Sequence, residues 1–453
     1  MGLEPQLALG RASARQRIMR LAGPAIVENL LHTMVGIVDT AMVGRLGAAS
    51  LAAVGLGNQI SQIGLTVFSA LATGSTALVA RFIGAKEPGK AGDVARQSLV
   101  LGIFVSGTVM ITFLLTARGL LGLLFGRSEA DVLNMASTYV RIVSLAIILN
   151  YFLIVINAIL RGAGDTKTPM RITGLVNLIN IIGNTIFIYG VGPIPALGVA
   201  GAAIGTAIAQ AFGGLIALGV LFRHPVLRVR LSDSFRPDRA IIRRIANIGV
   251  PAGIEQGMMR VAQLVYTMIV SSLGTISYAA HQVALNAESL SFMPGSGFAT
   301  SSTTLVGQNL GANRPDQAEE SGRTARNLGI LVMSIMGVIF VIIPEPIVRI
   351  FSNDPEVIAL ATVCLRLVAI SQPALATWMI LAGGLRGAGD TRAIMKIVIV
   401  GLVFVRVGLA YLLAIYLGFG LIGAWVAMVI DLFVRGLLIQ KRFNQGDWKM
   451  LKV

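Results

Sequence analysis

The sequence predicts an all-α polytopic membrane protein, with twelve transmembrane helices in two six-helix lobes related by a pseudo-twofold axis. Composition is the first reason. Mean hydropathy is +0.79, and 55% of residues are hydrophobic against 13% charged, where a soluble domain carries about a quarter charged. Length of the apolar runs is the second: stretches of about 20 residues recur along the chain, enough to cross ~30 Å of hydrocarbon as helices. The alternating ten-residue pattern of a membrane barrel is missing. The third reason is self-similarity. Laying 21–102 on 248–329 without gaps gives about 24 identities in 82 positions, with Pro24 on Pro251, Glu28 on Glu255, Gly47 on Gly274 and Gly84-Ala85 on Gly311-Ala312. Leu160-Arg-Gly-Ala-Gly-Asp-Thr166 recurs as Leu385-Arg-Gly-Ala-Gly-Asp-Thr391. The chain is a duplication.

In chain order, residues 1–17 form a short basic arm. It carries no compact apolar core followed by a small-residue cleavage site, so no cleaved signal is expected. Segments then fall at about 18–43, 51–80, 97–122, 134–159, 170–190 and 196–222, making an N-lobe over 18–222. A basic cytoplasmic linker, 223–244, leads to segments at about 245–271, 278–306, 325–348, 357–383, 393–417 and 420–440, a C-lobe over 245–440. A tail, 441–453, ends the chain. Six is even, so the halves share one orientation about an axis along the membrane normal.

Charge placement fixes that orientation. With the N-terminus in the cytoplasm, about 29 of the 37 Lys and Arg fall in cytoplasmic arms, loops or helix ends, as the positive-inside rule requires. The net charge of +16 is then explained by anionic inner-leaflet lipid, and no nucleic-acid partner is needed. Both termini are expected in the cytoplasm and the protein in the cytoplasmic (inner) membrane. Cys364 is the one cysteine, so no disulfide or thiolate cluster can form within the chain. The two Leu-Arg-Gly-Ala-Gly-Asp-Thr loops lack the Gly-Lys-Ser/Thr of a phosphate loop. They read as structural: glycine for left-handed turns, Asp-Thr to cap the next helix.

Ionisable groups at bilayer depth are costly unless they face a cavity or a partner, so each is a functional candidate. Segment 1 places Glu28, His32 and Asp39 within about 40° of one another, one polar stripe along three turns. No Lys or Arg interrupts the segment between Arg20 and Arg45. The competing explanation is a static buried ion pair. Segment 7 repeats the stripe with Glu255, Met259, Gln263 and Tyr266, and Tyr266 stands where Asp39 stands in the first half. Glu255 could pair with Arg260, although five residues is a poor helical match. Asn177, Asn180 and Asn184 share a face of segment 5; Asn150 and Asn157 share one of segment 4, with Tyr139 at its outer end; segment 6 adds Thr206 and Gln210. Such groups can bind a cation or cargo, or simply stitch helices together. Four neighbouring polar faces argue for a shared cavity, to which segment 8 adds Gln282 and Asn286. Pro24, Pro251 and Pro294 are the hinge candidates. His281 reads as structural, and Asp431 pairs most simply with Arg435, one turn on.

These residues resemble a known family. The twelve-segment duplication, Val38-Asp-Thr-Ala-Met-Val-Gly44, the paired Leu-Arg-Gly-Ala-Gly-Asp-Thr loops, His281-Gln-Val-Ala-Leu-Asn-Ala-Glu288 and Leu305-Val-Gly-Gln-Asn-Leu-Gly311 look like a MATE (multidrug and toxic compound extrusion) transporter of the MOP flippase superfamily. The resemblance covers nearly the whole chain. It implies a cation-coupled antiporter, not an enzyme, that exports organic, often cationic and amphipathic compounds by alternating access. No cofactor is implied beyond the coupling ion, H+ or Na+, and a monomer is expected. Asp39 matches the coupling aspartate of DinF-type members, with Asn180, Thr206, Asn157 and Tyr139 matching its polar partners. A sodium ion, if used, would sit at Asp39, Asn180 and Thr206. Asn184 departs from the second aspartate found there in many members, which favours the proton. Glu255 is similar to the segment 7 glutamate of NorM-type members, but the aspartate that accompanies it is missing between Val357 and Gly383. The pattern is mixed. A flippase of lipid-linked saccharides, or an exporter of one metabolite, is the alternative from the same superfamily; the acidic inward charges in segments 1, 7 and 8 favour cationic cargo.

Overall fold

The computed structural model describes residues 13–126, 128–227, 229–230 and 233–451; most of the N-terminal arm, 1–12, and the last two residues of the tail lie outside them. It is all-α, and among the described residues the only β-pairing is an isolated bridge between Val191 and Ile194. The helices are α1 (Ala14–Gly44), α2 (Ala48–Gly84), α3 (Pro88–Phe125), α4 (Ala130–Leu145), α5 (Ile147–Gly162), α6 (Lys167–Tyr189), α7 (Gly198–Arg223) and α8 (Arg239–Ser271). They continue with α9 (Thr275–Gly311), α10 (Pro315–Ile342), the short α11 (Pro344–Arg349), α12 (Pro355–Ile370), α13 (Gln372–Ala388), α14 (Thr391–Tyr416) and α15 (Gly420–Gln445).

Eight of these are long and apolar enough to span a membrane, and the pairs α4–α5 and α12–α13, bent by 60° and 57°, each pass as one broken span. The remaining two long helices, α8 and α9, complete the set of twelve; Arg243, Glu255, His281 and Glu288 dilute their hydropathy. Leu115, Leu123 and Tyr416 are more than three-quarters exposed. Large apolar side chains so open to the surroundings suit hydrocarbon, not water.

The duplication is written in the backbone. Helices α2 and α9 both contain 37 residues, and Ala48 and Gly84 stand 227 positions before Thr275 and Gly311. Each helix is entered through a glycine with positive φ, Gly47 at 108° and Gly274 at 105°. Each is followed by a non-glycine residue in the left-handed region, Lys86 or Asn313. The repeated Leu-Arg-Gly-Ala-Gly-Asp-Thr loops turn on Gly164 (φ 93°) and Gly389 (φ 85°), as their sequence predicts. Asp165 accepts from the amides of Lys167 and Thr168 at 3.1 and 3.0 Å, capping α6. Asp390 instead receives the Arg442 Nε at 2.8 Å.

The chain forms two compact units. One holds Val27–Gly249; the other holds Val250 onward together with the described residues up to Ile26. These divisions differ from the predicted lobe limits of 18 and 245. The physical reason is packing along α1 and α8, whose opening turns are buried away from their own lobe. Ile18 and Ala22 are fully buried, and the Ile18 carbonyl accepts from Ser301 Oγ at 3.2 Å. A side chain at Gly249 would meet the Ala70 carbonyl at 2.8 Å.

Within the Val27–Gly249 unit, α7 packs on α5 and α6, and α2 packs on α3, α4 and α5. Thr76 Oγ1 of α2 donates across to the Ala158 carbonyl at 3.0 Å. Gly162 lies so close that a Cβ would sit 2.7 Å from the Thr76 carbonyl. The second unit repeats both contacts. Thr303 Oγ1 of α9 donates to the Gly383 carbonyl at 2.8 Å, and Gly387 abuts the Thr303 carbonyl. The linker is also built in. Gln97 donates to the Arg236 carbonyl and accepts from the Asp238 amide, both at 2.9 Å, while Leu227 and Val229 are buried. It is a strap on the base of α3.

Two predictions follow from this packing. Gly162→Ala and Gly387→Ala should each cost about 1–3 kcal/mol through overpacking against backbone that cannot yield. Gly107→Ala, with open space around it, should be nearly neutral; thermal unfolding in detergent reads the difference. In the linker, the His224 Nδ1 accepts from the amides of Val226 and Leu227 at 3.3 and 3.4 Å. Burial lowers the His224 pKa from the usual imidazole value, against the opposing pull of Asp165. A depressed folded-state pKa contributes stability that is present above the unfolded value and lost as pH falls below it. Protection of the Val226 and Leu227 amides, taken relative to their intrinsic exchange rates, should therefore fall on acidification, and His224→Gln should remove that dependence.

Candidate functional site

A cavity of about 500 Å³ opens inside the Val27–Gly249 unit, lined by α1, α2, α5, α6 and α7. The stripe predicted on α1 faces it, since Glu28, His32 and Asp39 all line it. The amide ladder of α6 supplies the opposite wall. Asn184 Nδ2 donates to Asp39 Oδ1 at 2.7 Å and to Asn180 Oδ1 at 3.3 Å, and Asn180 Nδ2 donates to Thr206 Oγ1 of α7 at 3.4 Å. Asn157 and Gln210 complete the predicted lining. The side-chain oxygens of Asn157, Asn184 and Gln210 are buried and make no hydrogen bond among the described residues. Asn157 and Gln210 line the cavity, whereas the Asn184 oxygen faces Gly205 of α7. Two unfilled acceptors thus share the wall with the Asp39 carboxylate and offer lone pairs to a donor or a cation.

Tyr139 is placed differently. It is buried against Val43, Val54 and Val143, its hydroxyl donates to Asn58 Oδ1 at 3.1 Å, and it does not line the cavity. The remaining sequence candidates belong to the other unit. Tyr266 is fully buried, donates to the Ala424 carbonyl at 2.9 Å and packs against His281; it is core, not cavity wall. Gln282 Nε2 donates to the Tyr278 hydroxyl at 2.9 Å, Asn286 is exposed and Gln263 is half-buried. Pro24, Pro251 and Pro294 lie inside helices that continue through them. Each removes one backbone donor from its ladder.

The acids at membrane depth turn out to be mostly paired. Glu28 receives Arg161 Nη1 at 2.8 Å. Glu255 pairs with Arg386, not with Arg260, which corrects the sequence expectation of a carboxylate free for coupling. The second oxygen of Glu255 is buried without a hydrogen-bond partner among the described residues. Asp431 takes a fork from Arg435 at 2.8 and 2.7 Å, as predicted, and also Arg406 Nε at 2.9 Å. Arg406 comes from a stretch of α14, Ile399–Val407, wound as a π-helix. Asp39 and the buried Glu288 make no ion pair among the described residues. Sequence reasoning missed Arg161, Gln62, Ser69 and Thr173 in the cavity wall. For Arg161 a signal existed. The duplicated glutamates and the duplicated motif arginines keep nearly the same separation, 133 residues in one half and 131 in the other.

Comparison with known proteins now decides the family. A family model described as MatE matches residues 24–186 and 251–412, once in each half. The chain belongs to the MatE family. It is thus a multi-pass membrane transporter, not an enzyme. It is 32% identical over 435 residues to the probable multidrug resistance protein NorM of Thermotoga maritima, covering 96% of this chain and 93% of that one. It is 27% identical to the uncharacterized transporter YisQ of Bacillus subtilis, covering 95% and 94%. Among solved structures it resembles an outward-facing multidrug resistance MATE family transporter of the MOP superfamily, with TM-score 0.89, 25% identity, and 96% and 97% of the two chains covered. The twelve-helix all-α fold read from the sequence is that of this MatE transporter.

Breaking the buried triad tests the description of the second unit. Asp431→Ala leaves Arg406 and Arg435 without their shared counter-ion, and removing one partner of a buried pair costs about 3–5 kcal/mol. A lowered unfolding temperature in detergent is expected. Asp431→Asn, which keeps the shape and one of the two acceptor oxygens, should lose less.

Proposed function

We propose that this protein is a cation-coupled multidrug antiporter of the cytoplasmic membrane, driven by protons in preference to sodium, with both termini in the cytoplasm. The observation that carries the reading is Asp39. It is a carboxylate in a polar cavity whose hydrogen-bond partner is the neutral Asn184, and among the described residues no guanidinium or ammonium neutralises it. The Glu28 carboxylate and the Arg161 guanidinium on the lining cancel, so Asp39 supplies the one uncompensated charge among the carboxylates and guanidinium of the wall. That suits cationic, amphipathic cargo. The names of relatives such as NorM of Thermotoga maritima and the multidrug resistance protein MdtK of Yersinia pestis support multidrug export.

The coupling scheme needs only that proton and cargo favour different states. Protonation of Asp39 from outside removes the charge that holds a cationic cargo and changes the contact with Asn184. Release of the proton to the cytoplasm restores it. A proton entering down 100 mV releases ~2.3 kcal/mol, about forty-fold in cargo gradient at ~1.4 kcal/mol per decade. One carboxylate with amide and hydroxyl neighbours offers a sodium ion little compensating charge, which is why the proton is preferred. Pro24 and Pro251 sit within three residues of the points where α1 and α8 pass from one compact unit to the other, so bending there would reshape both leading helices. In this scheme the protein acts as a monomer.

Efflux of a cationic dye from proteoliposomes, driven separately by proton and sodium gradients, tests the proposal. Proton-driven export lost in Asp39→Asn is the expected result. Sodium-driven export that survives Asp39→Asn would overturn it and move coupling to Glu255. A wild-type protein that drives no uphill transport of any organic cation would point to a lipid-linked saccharide flippase instead.

A further inference from the structure

The duplicated glutamates and the duplicated motif arginines find each other in both halves. Glu28 lies four residues after Pro24, and Glu255 four after Pro251. Each is the first charged side chain of its leading helix beyond the point where that helix changes unit. Arg161 and Arg386 each stand in the last turn of the helix that opens the Leu-Arg-Gly-Ala-Gly-Asp-Thr loop. In both pairs the carboxylate is the buried partner: Glu28 and Glu255 are 6% and 1% exposed at the side chain, against 24% and 28% for their arginines. A buried carboxylate held by a more open guanidinium is a site where the cation can be exchanged while the acid stays in place.

The two pairs differ in one respect. Glu28 and Arg161 both line the 500 Å³ cavity, one helical turn from His32 and eleven residues before Asp39. We infer that the Glu28–Arg161 pair is a cation-exchange gate of that cavity, and that Glu255–Arg386 is its counterpart kept for helix positioning. A cationic cargo group reaching Glu28 replaces Arg161 as the counter-ion, and no covalent step is involved. A neutral cargo cannot make the exchange, because stripping Arg161 from Glu28 without a replacement leaves a buried carboxylate unpaired. The pair therefore adds a second determinant of charge selectivity to Asp39, whose charge also serves coupling. This inference rests on the cavity being the cargo site.

Its test is binding, read without any ion gradient. Tetraphenylphosphonium and the neutral triphenylphosphine oxide are titrated onto purified protein in nanodiscs. Arg161→Gln frees Glu28 and should tighten the cation about tenfold, the scale of one charge-assisted contact, leaving the neutral compound unchanged. Glu28→Gln should weaken the cation by a similar factor, again without moving the neutral one. Arg386→Gln is the matched control: it should lower the unfolding temperature while leaving the cation-to-neutral ratio at its wild-type value. Should Arg161→Gln fail to fold, the double variant Glu28→Gln/Arg161→Gln leaves no unpaired charge and should show the same loss of cation preference as Glu28→Gln. Equal shifts for both probes in the Glu28 and Arg161 variants, or a ratio change in Arg386→Gln as large as in Arg161→Gln, would overturn the gate. Wild-type protein that binds neither probe and exports neither would overturn the cargo-site reading itself, a distinct failure.

Discussion

A charge cannot be left alone at membrane depth, and that constraint organises both halves of this molecule. Several kcal/mol attach to each uncompensated ion in hydrocarbon, so acids on α1 and α8 recruit guanidinium groups from helices far away in sequence. The acid on α15 takes one from its own helix and one from α14. Glu28 takes Arg161, Glu255 takes Arg386, and Asp431 takes both Arg406 and Arg435. The leading helix of each lobe is thereby tied to the loop that follows the bent span. The separation of glutamate and arginine is nearly the same in the two halves, 133 and 131 residues. Against this background Asp39 stands out: its hydrogen-bond partner is an amide, and the cavity around it is left open.

Much of this was legible in the chain because a duplication is an internal experiment. The 227-residue shift placed α2 against α9 to the residue, along with their entry glycines and the positive-φ positions that close them. The periodicity of α1 put Glu28, His32 and Asp39 on one face, and the structure turns that face to the cavity. Helical spacing also gave Asp431 and Arg435 to each other. What stayed hidden was long-range. A local search around Glu255 finds only Arg260, about 140° away on the same helix, while the true partner is 131 residues on. Tyr266 was assigned to a cavity by analogy with Asp39. A phenol can satisfy its hydroxyl with one backbone carbonyl and bury its ring, and Ala424 provides that carbonyl. The unit limits were hidden too, because hydropathy reports where a helix begins and not what its first turns pack against.

The two halves have kept their shape and parted in chemistry. In the first, Asp39 and the asparagines of α6 hold a polar space open. In the second, the position equivalent to Asp39 carries Tyr266, and the interior is filled by Tyr266, His281 and Trp425, the first two rings tilted and the last two edge to face, with the Asp431 triad beside them. Arg406 lies 5.8 Å from the Tyr266 ring centre, so the aromatic and ionic parts of that interior form one cluster. Duplicated scaffolds diverge this way because the contacts that hold the backbone, such as Thr76 and Thr303 on facing carbonyls, are separate from the residues that fill the space between helices.

That separation bears on how such a fold can move and still be stable. Helices α1 and α8 each leave one compact unit and finish in the other, and each carries a proline at the change. A proline weakens the ladder by one bond at a fixed place, while the glutamate one turn beyond anchors the helix to its new surroundings. The weakened turn of each helix thus lies between two firm attachments. Beyond that turn on α1 lie His32 and Asp39, and Asp39 takes its hydrogen bond from the Asn184 amide, with no counter-charge beside it among the described residues.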